Sequence, residues 1–206
     1  MCGIAGYLGS DATEELVRSM ADALIHRGPD DAGVWLEGTD GIALSHRRLS
    51  IVDLSTEGHQ PMLSASGRYV ITFNGEIYNH VELRAKLDQS STGIVWRGHS
   101  DTETLLACFE EWGIRKTLDL TVGMFAIALW DRSERRLHLM RDRFGEKPLY
   151  YGWIGGGFVF GSELKALRRH PNFGNSIDRN VLALYLQFCY VPRHIRSIGI
   201  CTNLNL

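Results

Sequence analysis

The chain has 206 residues, 44% of them hydrophobic and 10% aromatic, enough for one generous domain with a sizeable core. Its 22 basic and 24 acidic residues leave a net charge of −2, which makes no global case for nucleic acid or an anionic membrane as partner. The strongest apolar run, MFAIALW, has the length of a buried strand rather than a membrane span, and the first residues lack a secretory signal, so a cytoplasmic location is expected.

CGIAGYLG reads as a first strand. DATEELVRSMADALIHRG reads as a helix: Leu16, Val17, Met20, Ala23 and Leu24 share one face, and Gly28-Pro29 stops it. AGVWLE and IALSHRR are short strands with GTDG as the turn between them. GRYVITFNG is expected to be a strand that ends in an Asn74-Gly75 turn, and NHVELRAKL a helix. HSDTETLLACFEEWG predicts a capping box, with Ser100 accepting from first-turn amides, Glu103 reaching back, and Gly113 ending the helix.

GMFAIALWD, RRLHLMRD, LYYGWI and GGFVFGS follow as strands, then SELKALRRH and DRNVLALYLQF as helices. The last stretch, RHIRSIGICTNLNL, has neither periodicity nor caps and reads as a tail. Short links make most pairings antiparallel. Strands apolar on both faces need cover on both sides, which two packed sheets with helices outside supply. The fold class is α+β.

Cys2, Cys108, Cys189 and Cys201 are far apart, with no CxxC, so neither a zinc site nor a disulfide framework is expected. Cys108 lies in a helical pattern and reads as core. Cys2 poses a sharper question. Left behind Met1 it would only fill a buried strand; exposed by loss of Met1 it would carry a thiol and a free α-amine. Such a residue can use its own amine as the base that takes the thiol proton. The ordinary pKa values, about 8 for the amine and about 8.5 for the thiol, are close enough to share it.

A tetrahedral oxyanion then needs donors, and a side-chain amide such as Asn74 with a backbone N–H such as Gly75 would serve. An arginine fork suits an α-carboxylate and an aspartate an α-ammonium. HRGPDDAG, SHRRLSIVD, FNGEIYN and GHSDTE concentrate these residue types at expected turns. Each taken alone also reads as a tight turn, a salt bridge or a helix cap.

In chain order, MCGIAGYLG, HRGPDDAG, RLSIVD, QPM, NGEIYNH, GHSDTE, GMFAIALWD, RDRFGEKPLYY and SELKAL resemble the glutaminase domain of glutamine-dependent asparagine synthetases. That domain is a class II glutamine amidotransferase of the N-terminal-nucleophile hydrolase type, and the resemblance runs to about Pro192. It implies a four-layer αββα sandwich and glutamine as substrate. Cys2 would be the nucleophile and, through its amine, the base, with Asn74 and Gly75 as the oxyanion hole. Arg48 would hold the glutamine α-carboxylate, with Leu49 and Ile51 shaping the pocket. Asp101 would take the α-ammonium, helped by Glu76. Arg27 would at most organise the loop around the nucleophile. No metal or cofactor is expected in this domain.

The family joins this domain to a second one that uses ATP and magnesium through a glycine-serine-rich loop. That loop is not in the sequence, and the glycine run of WIGGGFVFG reads as a hairpin turn. The expected division is therefore a glutaminase domain over 1–190 and a tail over 191–206, a synthetase truncated before its second domain. The expected activity is hydrolysis of glutamine to glutamate and ammonia, not asparagine synthesis by this chain alone. The ammonia would be wasted or passed to a separate synthetase-domain protein. Two alternatives stand beside this reading: a non-catalytic remnant, and an amidotransferase domain serving another acceptor such as a polysaccharide precursor. Uncovered Leu182, Leu186 and Phe188 predict self-association into a homo-oligomer.

Overall fold

The computed structural model describes residues 1–51, 54–89, 93–174 and 179–189. The expected tail with its boundary, Cys201, and the Val52-Asp53 end of RLSIVD lie outside the described residues. The chain opens with β1 (Gly3–Leu8), α1 (Glu14–Asp22), β2 (Asp31–Glu37) and β3 (Ile42–Arg48). Next come β4 (Met62–Leu63), β5 (Tyr69–Ile77), α2 (His80–Gln89) and α3 (Asp101–Leu120). It continues with β6 (Gly123–Asp131), β7 (Arg136–Arg141), β8 (Tyr150–Ile154), β9 (Gly157–Gly161), α4 (Leu164–Leu167) and α5 (Arg179–Phe188). The strands form two antiparallel sheets, ordered β2-β3-β1-β9-β8 and β4-β5-β6-β7.

The two-residue alternation of strands builds the layers. On β1, Ala5 and Tyr7 pack beneath α1 and α4 with Val17, Met20 and Leu167. Ile4 points the other way, into the gap between the sheets, where it joins Leu44, Val70, Ala126 and Trp130. On β5, Ile71 and Phe73 face α2 and α3 and pack on Leu83, Leu105 and Phe109. Helix, sheet, sheet and helix are the expected four layers. Each large apolar side chain taken fully out of water contributes ~1.5–3 kcal/mol. Cys108 is buried among them, as its helical pattern predicts. No described helix is long and apolar enough to cross a membrane.

Helix α1 starts as its sequence directs: Thr13 Oγ1 accepts from the Leu16 N–H at 3.2 Å, with Glu14 and Glu15 in the first turn. It ends earlier than the periodicity suggests. After Asp22 the backbone tightens into three-residue turns, Leu24 N–H to Ala21 O and Arg27 N–H to Leu24 O. These turns still bury Leu24 and aim Arg27 at the start of β1.

Several local readings are corrected. Asn74-Gly75 is not a turn: β5 runs through it, paired with β6 from Tyr69↔Asp131 to Ile77↔Gly123. A continuous ladder overrides a two-residue turn preference. Ser100 Oγ does accept from the Glu103 N–H at 3.2 Å, but Glu103 does not close a capping box. Its carboxylate takes the amides of Arg97 and Gly98, at 2.8 and 3.1 Å, and the Arg84 guanidinium. Gly113, at φ +75°, interrupts α3, yet the helix resumes to Leu120. SELKALRRH supplies the single turn of α4. Gly155 and Gly156, both at positive φ, make the expected hairpin between β8 and β9. Two-residue β4 is too short to show a period. Helix α5 buries Val181 and leaves Leu182, Leu186 and Phe188 exposed.

Candidate active site

The open end of the gap between the sheets holds the site. The pairing Gly3↔Arg47 brings Cys2 level with Arg48, on the inward face that Leu44 shares. On β5, Asn74 and Glu76 continue the inward face of Val70. Cys2, Arg48, Leu49, Asn74, Gly75 and Glu76 line one open cavity of about 150 Å³ together with Asp101 and Ile51. Every residue expected at the site is there, although Ile51 stands largely exposed at the rim.

Cys2 is half-buried, and its Sγ accepts from the Leu49 N–H at 3.4 Å while donating to the Leu49 carbonyl at 3.6 Å. Burial pushes the thiol above its ordinary value. The Leu49 contact and the positive charges of the chain terminus and Arg48 pull it back in part. The Cys2 carbonyl accepts from Arg27 Nε at 2.9 Å, and Arg27 Nη1 donates to Glu163 Oε1 at 2.9 Å. Burial works to raise the Glu163 carboxyl, but hydrogen bonds from Arg27, His26 and Lys165 bring it down to about 2. Ser162 Oγ accepts from the Ile4 N–H at 3.0 Å, and its own N–H donates to the Ile4 carbonyl at 2.8 Å. Ser162 and Glu163, at the end of β9, thus clamp the first residues of β1 directly and through Arg27.

The β5 edge explains the donors. β4 pairs only with Val70 and Ile71, so among the described residues the edge of β5 beyond them has no strand beside it. Backbone groups alternate in direction along an antiparallel strand. On the open side, the Phe73 N–H donates to Gln60 Oε1 at 2.7 Å, and the Ile77 N–H donates to Asp101 Oδ2 at 3.0 Å. The Gly75 N–H lies between them and points the same way, at the cavity Gly75 lines. Asn74 is 1% exposed, and its Nδ2 has no hydrogen-bond partner among the described residues. A buried donor without an acceptor costs ~1–3 kcal/mol. Two donors therefore face the cavity beside the thiol.

Arg48 is buried, and its Nη1 donates to the Ser55 carbonyl at 2.8 Å. Gly58 packs so tightly on the guanidinium that a Cβ there would stand 2.0 Å from Nη2. Asp101 begins α3; burial pushes its carboxyl up, against the pull of the Ile77 N–H. The Arg48 guanidinium and the carboxylates of Asp101 and Glu76 in a single cavity match the two charged ends of an amino acid.

Gln60, Gly58 and Lys147 also line the cavity and were not singled out from the sequence. Gln60 sits inside the quoted QPM, where only its buried amide gives it meaning. Lys147 is 6% exposed and donates from Nζ to Met1 Sδ at 3.6 Å. A lysine set against the apolar start of β8 was its one sequence signal. Among the described residues no group of three His, Cys, Asp or Glu could hold a metal ion.

Comparisons with known proteins identify the family. A family model described as a glutamine amidotransferase domain matches residues 1–201. The chain is 40% identical over 178 residues to asparagine synthetase [glutamine-hydrolyzing] 2 of Bacillus subtilis, covering 84% of this chain and 23% of that one. It is 40% identical over 174 residues to the asparagine synthetase [glutamine-hydrolyzing] of Zea mays, covering 81% of this chain and 28% of that one. The chain thus spans only about a quarter of the length of these curated relatives. Among solved structures, the B. subtilis glutamine phosphoribosylpyrophosphate amidotransferase superposes with a TM-score of 0.69 at 21% identity, covering 81% of this chain and 43% of that one. That likeness speaks for the fold. A family match over residues 1–201, nearly the whole chain, means that the chain belongs to the glutamine amidotransferase domain family.

Proposed function

We propose that the protein hydrolyses glutamine to glutamate and ammonia with Cys2 as nucleophile. What carries this reading is the buried Asn74 Nδ2, without a partner among the described residues, beside the open-edge Gly75 N–H, both from residues that line the cavity of a half-buried thiol. Loss of Met1 frees the α-amine of Cys2, which takes the thiol proton. The sulfur attacks the carboxamide carbon, and Asn74 and Gly75 donate to the oxyanion that forms. The new ammonium returns its proton to the leaving nitrogen, ammonia departs, and a glutamyl thioester remains. Water then attacks the thioester, the amine takes its proton, and glutamate and the thiol are released. Arg48 holds the α-carboxylate; Asp101, with Glu76, holds the α-ammonium; Leu49 and Ile51 shape the wall.

The ammonia serves an acceptor reaction of the asparagine-synthetase kind, carried by polypeptide outside this unit, whether fused or separate. ATP and magnesium belong to that reaction. The described residues do not fit them: Gly155 and Gly156 are spent on a hairpin, and no acidic cluster for a cation stands among them. Cytoplasmic residence, where thiols stay reduced, suits a free Cys2.

The test is glutamate release from glutamine by untagged protein whose intact mass shows loss of Met1, with Cys2→Ala beside it. Turnover that vanishes in Cys2→Ala supports the reading. A tag fused ahead of Met1 should abolish turnover; equal turnover with and without it would sink the N-terminal mechanism.

A further inference from the structure

His46 is the most deeply buried titratable group near the site, and the steps above do not use it. It stands on β3, inside one sheet between β2 and β1, paired with Ile4 of β1 and Gly33 of β2. Its side chain shares the inward face of Leu44 and crosses the gap to the other sheet. There His46 Nε2 lies 3.0 Å from the Phe73 carbonyl. A carbonyl only accepts, so the proton sits on Nε2. Burial lowers the pKa of His46 to about 4, so the ring is neutral near pH 7.

Phe73 is where the cover of β4 has run out, and two side chains replace the missing strand. Gln60 accepts the Phe73 N–H at 2.7 Å and donates its own amide to Thr102 Oγ1 at 3.1 Å. His46 donates to the Phe73 carbonyl. That carbonyl belongs to the peptide unit joining Phe73 to Asn74. Fixing its plane fixes the direction in which the Asn74 side chain leaves the strand, and the Gly75 N–H one peptide further on. The strand that carries His46 also pairs with the strand that Cys2 leads.

We propose that His46 is a positioning residue for glutamine hydrolysis. By holding the Phe73 carbonyl across the gap, its Nε2–H sets the Asn74 and Gly75 donors in register with the Cys2 sulfur. This rests on the reading of Cys2, Asn74 and Gly75 given above. A histidine that merely fills a polar hole between sheets would support stability without touching the oxyanion.

Three variants separate these roles. His46→Leu keeps bulk and removes the donor. His46→Gln carries an N–H the same number of bonds from the backbone as Nε2. His46→Asn is equally polar but one bond shorter. Each processed protein is assayed for kcat and KM with glutamine, for thermal melting, and for the rate at which iodoacetamide alkylates Cys2. Alkylation needs the thiolate but no oxyanion donor.

The expected result for His46→Leu is a kcat lower by ~10-fold or more, part of the ~10²–10³-fold worth of an oxyanion donor. Its KM and alkylation rate should stay within about twofold, and His46→Gln should recover most of kcat while His46→Asn should not. Should His46→Leu fail to fold, the contrast between the Gln and Asn variants decides alone. Wild-type kcat in His46→Leu, a parallel loss of alkylation, or equal kcat in the Gln and Asn variants overturns the proposal while leaving the glutaminase reading intact. Processed wild-type protein without glutaminase activity overturns both.

Discussion

Arg27 Nε stands 2.9 Å from the carbonyl oxygen of Cys2, although β1 and α1 lie between the two residues in the chain. The same guanidinium is held by Glu163, which arrives from the far end of β9. A terminal residue ahead of a strand has few neighbours to hold it. The Arg27–Glu163 pair therefore supplies what the ladder cannot: a tie from the Cys2 backbone to the end of β9. Lysine lacks the planar fork that reaches both partners at once.

Glu163→Gln should lower kcat several-fold with KM nearly unchanged, because it weakens a charge-assisted hydrogen bond of ~1.5–3 kcal/mol that acts through Arg27. Arg27→Lys should be worse. Steady-state hydrolysis with glutamine checks both, and a kcat unaltered in Glu163→Gln would leave the pair a purely structural contact.

Asn74→Leu separates function from stability. Removing the oxyanion donor should reduce kcat by ~10²–10³-fold, with little change in KM. It also removes a buried donor with no partner among the described residues, so the melting temperature should hold or rise. Kinetics and a melt on the same preparation make the comparison. A steep fall in melting temperature would contradict the assignment of Nδ2 as an unsatisfied group.

Gly58→Ala tests the seat of Arg48. A Cβ would come within 2.0 Å of Nη2 and push the guanidinium off its place. With the α-carboxylate contact weakened by ~1.4 kcal/mol or more, KM should rise ~10-fold while kcat stays within about twofold. Wild-type KM in this variant would remove Arg48 from substrate binding.

Asp101 predicts a stability that depends on pH. Burial raises its folded pKa, so the unfolded chain gives up this proton first. Its contribution to stability is full below the ordinary carboxyl range, about pH 4, and shrinks as pH rises through the raised folded value. Relative to Asp101→Asn, wild type should therefore lose ground between about pH 4 and neutrality. Asp101→Asn should also raise KM strongly, since it removes the partner proposed for the α-ammonium. Chemical denaturation of both proteins at the two pH values measures the first effect; a difference independent of pH would contradict it.

Much of the molecule could be read locally. The apolar runs of GIAGYL and MFAIALW, the cap at Ser100 and the diglycine hairpin each depend on a few neighbouring residues, and the structure keeps them. Asn74-Gly75 shows the limit. Its turn preference is local, but whether the chain turns there depends on β6, which pairs with it from some fifty residues away. Glu103 shows it again: the capping box was legible, yet Arg84, Arg97 and Gly98 compete for the carboxylate.

By itself the sequence determined the unbroken apolar runs that bury both faces of the central strands, the helix starts, and the order of motifs that marks a glutamine amidotransferase domain. Those properties need only side-chain chemistry and spacing. Only the tertiary structure decided that Cys2, Arg48, Asn74 and Asp101 share one cavity, that a strand two residues long leaves Gly75 open, and that Gln60 and His46 grip Phe73. Each of these depends on which strands pair and on how far they overlap, and that is settled by burial across two sheets rather than by any stretch of neighbours.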